Sequence, residues 1–86
     1  MMTDYDLQLC FHLTDEENKL TSEPFDARYL ATSVGKSYAW AYQVLSRKVK
    51  QGLVRKVGRG TFALSLTPEQ QTWAQHHIDC INRRFA

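Results

Sequence analysis

The sequence predicts an α+β fold, mostly α: a three-helix core, a two-stranded β-hairpin and a C-terminal helix. Three observations predict it. Between residues 26 and 51 apolar residues recur at helical spacing behind good capping residues. After Gly52 the period changes to alternation around Gly58-Arg59-Gly60. Thr67-Pro68-Glu69-Gln70 then opens a new helix. The 86 residues suit one domain, 1–86, with one small core, and argue against a large catalytic pocket.

The first helix is expected at about 4–14, where Leu7, Leu9, Cys10, Phe11 and Leu13 make a wide apolar stripe. The polar stretch 15–24 ends in Pro24 and reads as a loop. A second helix is expected at about 26–34. Asp26 is its N-cap, Phe25 and Leu30 have the spacing of a hydrophobic staple, and Gly35 stands where a helix ends in left-handed backbone.

The third helix, about 37–51, carries the clearest pattern. Ser37 is a natural N-cap and neither Gly nor Pro intervenes until Gly52. With 100° per residue, Val44, Leu45, Lys48 and Val49 fall near Ala41 on one face. Ala39, Gln43, Ser46, Arg47 and Lys50 fall opposite, with Trp40 and Tyr42 at the edges. The hairpin spans about 53–66. Leu53, Arg55 and Val57 alternate with Val54 and Lys56, Arg59 lies at the tip, and Phe62, Leu64 and Leu66 share a face. The last helix runs over about 68–84, with Trp73, Ala74, His77, Ile78, Ile81 and Phe85 on its apolar side.

The net charge of +2 hides an asymmetry. Residues 1–24 hold six acids and one base, −5, whereas residues 25–66 hold eight bases and one acid, +7. A basic middle segment implies an anionic partner, and the acidic leader is expected to lie away from it. The longest nearly apolar run, Leu7 to Leu13, is interrupted by Gln8 and His12 and is far short of the ~20 residues of a membrane span. No signal peptide is visible at the N-terminus and two cysteines make no disulfide framework, so a cytoplasmic protein is expected.

The phrases FDARYLATSVGKSYAWAYQVLSRKVKQGLV and RKVGRGTFALSLTPE resemble a winged helix-turn-helix domain. The order of a short helix, a Gly-containing turn, a Ser-capped helix and a Gly-Leu-Val step into a hairpin is similar to that of MarR-like regulators. LVRKVGRGTFAL looks like the wing of AbiEi-type antitoxin regulators. The resemblance implies a recognition helix at 37–51, a wing at 53–66 and a transcriptional regulator. Two positions depart from the pattern. Lys36 and Lys48 stand where the family usually carries apolar residues, although both can lay their methylenes on a core.

These residue types suit double-stranded DNA. Gln43 can pair bidentately with adenine and Arg47 with guanine, while Ala39 is small enough to approach a thymine methyl. Tyr38, Tyr42 and Ser46 offer contacts to phosphate or base edges. Lys36, Ser37 and Lys50 lie toward the ends of the helix, near backbone phosphates. Trp40 suits either the core or a contact with DNA or a partner. Arg55, Lys56 and the glycine-flanked Arg59 equip the wing for phosphate or the minor groove. Trp73, His77, Ile78, Ile81 and Phe85 are expected to form a homodimer interface.

Other chemistries fit less well. Cys10, His12, His76, His77 and Cys80 are zinc-ligand types, but Cys10 and His12 diverge by about 200° on a helix. No metal and no cofactor is therefore expected, while an intersubunit disulfide stays open. A Cys80–His76 or Cys80–His77 pair lacks an orienting group or oxyanion site, and Gly58-Arg59-Gly60 is too short for a phosphate loop, so no enzyme activity is expected. The rival reading is a winged-helix adaptor that binds protein through Tyr38, Trp40 and Tyr42. A third is RNA binding by the same basic face.

Overall fold

The computed structural model describes residues 2–84 and is α+β, mostly helical. Among them are four helices and three antiparallel strands, in the order α1 (Asp4–Phe11), β1 (Phe25–Asp26), α2 (Ala27–Val34), α3 (Tyr38–Lys50), β2 (Val54–Gly58), β3 (Thr61–Leu64) and α4 (Pro68–Arg84). Their contacts divide the chain into two compact units. One is Ser22–Leu66. The other joins the residues up to Thr21 with those from Thr67 onward.

In the Ser22–Leu66 unit, local capping fixes both helices. The Asp26 carboxylate accepts the Arg28 N–H at 2.7 Å, and the Ser37 hydroxyl accepts the Trp40 N–H at 3.1 Å. Gly35 closes α2 at φ 76°, in the left-handed region that favours glycine. α2 then packs on α3. Ala27, Leu30 and Ala31 face inward from one helix, and Ala41, Val44 and Leu45 from the other. Each fully buried Leu or Val contributes about 1.5–3 kcal/mol. Lys48 is buried on the same side of α3, and its Nζ donates to Gln51 Oε1 at 3.2 Å. Of the expected inner face of the third helix, Ala41, Val44, Leu45 and Lys48 are buried and Val49 is half-buried.

The sheet has the order β1-β3-β2. It thus holds three strands rather than the two expected. The addition is β1, whose Phe25 and Asp26 pair with Phe62 and Thr61. With a neighbour on each side, β3 is central, and Phe62, Ala63 and Leu64 are all buried. Val57 lies on the same side of β2 as the exposed Arg55 and is itself 44% exposed, and the register shifts just there, between Lys56 and Gly58.

The hairpin turn is pinned to the helices. Gly60 has φ 72°, its carbonyl accepts the Ala27 N–H at 2.9 Å, and a Cβ there would lie 2.8 Å from the Tyr38 hydroxyl. Gly60→Ala is expected to lower stability by about 1–2 kcal/mol from its backbone conformation alone. The contact with the Tyr38 hydroxyl adds to that. Thermal unfolding of the substitution, alone and combined with Tyr38→Phe, separates the two parts. Equal losses in both backgrounds would rule out the steric part.

In the other unit, α1 begins with a reciprocal box. The Thr3 N–H donates to Asp6 Oδ2 at 2.8 Å and the Asp6 N–H to Thr3 Oγ1 at 3.2 Å. The helix ends at Phe11, three residues before the expected boundary. The reason is Asp15, whose carboxylate accepts the N–H groups of Glu17 and Lys19 at 2.8 and 3.0 Å. That turn brings Thr14 and Leu20 together in an isolated antiparallel bridge. α4 starts as expected, with the Thr67 N–H donating to Gln70 Oε1 at 2.9 Å and the Gln70 N–H to Thr67 Oγ1 at 3.2 Å. Gln75 fastens the loop to α4. It accepts from the Leu20 N–H at 2.8 Å and donates to the Asn18 carbonyl at 2.9 Å. Leu9, Cys10, Leu13, Leu20, Ala74 and Ile78 are buried. Among the described residues no helix is long and apolar enough to cross a membrane.

Candidate nucleic-acid interface

The positive charge is concentrated in one unit. Ser22–Leu66 holds eight bases and two acids, +6, while the remaining residues hold seven acids and three bases, −4. Seven of the eight bases are exposed: Arg28, Lys36, Arg47, Lys50, Arg55, Lys56 and Arg59. Among the described residues none of the seven makes an ion pair. The surface of this unit is therefore an uncompensated positive field.

α3 presents the expected stripe. Ala39, Gln43, Arg47 and Lys50 are exposed, and Ser46 is half-buried. The stripe faces out because Ala41, Val44, Leu45 and Lys48 face in. Lys36 is exposed ahead of the helix. The Ser37 oxygen is already accepting a hydrogen bond as the N-cap. Trp40 is half-buried and belongs wholly neither to the core nor to the surface.

The tyrosines and the hairpin meet. The Lys56 ammonium donates to the Tyr42 hydroxyl at 2.8 Å and lies 5.3 Å from the centre of that ring. Tyr42 in turn sets its ring edge-to-face against Phe62, 5.7 Å between centroids. Tyr38 lies 6.1 Å from Tyr42 and carries the Arg28 guanidinium 5.5 Å from its centroid. Arg55 and Arg59 are exposed on the hairpin, Arg59 in the turn.

Sequence reasoning missed Arg28 as a member of this surface. It counted the charge but had no signal for its position, because ten residues separate Arg28 from Tyr38. The residues expected at a dimer interface lie in the other unit. Trp73 and Ile81 are 38% and 39% exposed, His77 is half-buried and Ile78 is 2% exposed, so Ile78 offers almost no surface. Phe85 lies outside the described residues. The Trp73 and His77 rings lie 4.6 Å apart between centroids, tilted by 57°, and His77 Nδ1 donates to the Trp73 carbonyl at 3.0 Å. Beside Ile81, a groove of about 360 Å³ is lined by Asp4, Leu7, Gln8, Phe11 and His12. The apolar width of the first helix was its sequence signal.

For the zinc-type residues, Cys80 Sγ lies 3.7 Å from His76 Nε2. Cys10 is buried, and neither cysteine forms a disulfide within the chain. Among the described residues no group of three or more His, Cys, Asp or Glu side chains is placed to hold a metal ion. The chain matches no protein family, no characterised protein and no solved structure.

Proposed function

We propose that Ser22–Leu66 is a winged helix-turn-helix module that binds double-stranded DNA sequence-specifically, in a cytoplasmic transcriptional regulator that acts by occupying DNA rather than by catalysis. α3 is the recognition helix, entering the major groove, and β2–β3 is the wing. One observation carries the reading. The exposed stripe of α3, with Gln43 and Arg47, shares a unit of charge +6 with a hairpin bearing Arg55, Lys56 and Arg59, and none of these bases is neutralised by an ion pair among the described residues. Selection of bound duplexes from a random pool tests it, followed by gel shifts. Gln43→Ala and Arg47→Ala are each expected to weaken the selected site by about 1–3 kcal/mol and relax preference at one position. Unchanged site preference in both would remove the recognition-helix assignment.

The protein in this reading is a homodimer through α4, with Trp73 and Ile81 supplying exposed apolar surface. A two-fold dimer reads a pseudo-palindrome whose half-sites lie about 34–36 Å, or a multiple, apart. Ile81→Glu is expected to yield a monomer in sedimentation equilibrium, and a variant that stays dimeric would place the interface elsewhere. The exposed Tyr38 also suits the adaptor reading. Elution from duplex DNA at low salt, without a salt slope, would favour that reading.

A further inference from the structure

We infer that Arg28 and Lys56 form a two-cation clamp for backbone phosphates, aimed by Tyr38 and Tyr42 as positioning residues. The clamp rests on the DNA-binding reading and extends it to a residue outside both the recognition helix and the wing. An exposed Lys or Arg ordinarily samples many rotamers, and ordering it on a ligand costs up to about 2 kcal/mol. Here both are already held. The Arg28 guanidinium lies 5.5 Å from the Tyr38 centroid, and the Lys56 ammonium lies 5.3 Å from that of Tyr42 while donating to its hydroxyl at 2.8 Å.

The platform beneath them is rooted in the fold. The two rings lie 6.1 Å apart, and Tyr42 rests against Phe62, which is fully buried. The Tyr38 hydroxyl sits over Gly60, whose carbonyl is bonded to the start of α2. Two cations from two different elements are thus fixed relative to one another. Neither makes an ion pair among the described residues. Guanidinium keeps its fork of donors over the ring, and the ammonium keeps two N–H groups beyond the one given to Tyr42. Such donors fit anionic oxygens rather than neutral base edges, and a phosphodiester backbone presents them in a row. Tyr38 and Tyr42 lie at one edge of the stripe made by Ala39, Gln43 and Arg47, where a strand bordering the groove would run.

The test uses the full chain and fluorescence anisotropy on two duplexes, the selected site and a scrambled one, across a salt series. Arg28→Gln and Lys56→Gln are each expected to reduce the slope of log K against log salt by about 0.9, equally on both duplexes. Tyr42→Phe keeps every charge and the ring. It is expected to weaken binding by about two- to tenfold when Lys56 is present and not at all in the Lys56→Gln background. Arg28 and Lys56 are exposed, so their variants should keep the wild-type melting curve. A wild-type slope in Arg28→Gln, or a Tyr42→Phe loss that persists without Lys56, overturns the clamp and leaves the DNA reading standing. A wild-type protein that retains neither duplex overturns both.

Discussion

Phe62→Ala is expected to destabilise the Ser22–Leu66 unit by about 3–5 kcal/mol. Phe62 is fully buried on the central strand, paired across the sheet with Phe25 on one side and Lys56 on the other. Its ring also supports Tyr42. Truncation removes the apolar surface and leaves a cavity that two neighbouring strands prevent from closing. At about 0.05–0.15 kcal/mol per residue, 45 residues hold roughly 2–7 kcal/mol in all. The substitution thus consumes between roughly two-fifths and all of the stability of the unit. Circular dichroism melts should show the midpoint falling by about 12 °C or more, or no folded baseline. Leu30→Ala, at a fully buried position on α2, should cost about 2–5 kcal/mol. A fall of only a few degrees for Phe62→Ala would mean that the ring is not the centre of this core.

What the sequence made legible was local. Asp26, Ser37 and Thr67 act as caps within two or three residues of the N–H groups they satisfy, so each could be read from its neighbours. The inner face of α3 follows from a period of 3.6 and needs no tertiary information. What stayed hidden depends on distant pairs or very short elements. β1 has two residues, too few for any alternation, and exists because Phe62 and Thr61 lie beside it. The early end of α1 comes from one carboxylate turning back the chain at Asp15, a competition that apolar periodicity does not register. Which helices share a unit is likewise a matter of contact, and α1 belongs with α4. In the candidate interface, Gln43 and Arg47 were legible because they oppose Ala41 and Val44 on one helix. The link from Arg28 through Tyr38 and Tyr42 to Lys56 crosses α2, α3 and β2, and no spacing along the chain encodes it.

For each bound copy, duplex affinity is expected to fall by roughly 500- to 6,000-fold between 50 and 200 mM monovalent salt. The size follows from a count that the fold narrows. Eight bases lie between residues 25 and 66, but Lys48 is buried and its ammonium is held by Gln51, so at most seven can reach phosphate. With five to seven contacts from one copy, and about −0.9 per neutralised phosphate, log K should fall with log salt at a slope of roughly −4.5 to −6.3 per bound copy. Removing Arg59 or Lys50 should each flatten the slope by about one contact without changing which sequence is preferred. Removing Gln43 should change the preference and leave the slope alone. Anisotropy with a labelled duplex at four or five salt concentrations measures all three. A slope near zero would mean that the +6 surface is merely solvated or faces a protein. A slope steeper than about −6.3 would mean added cations, either Lys19, Arg83 and Arg84 of the same copy or those of the second copy that a homodimer on two half-sites supplies.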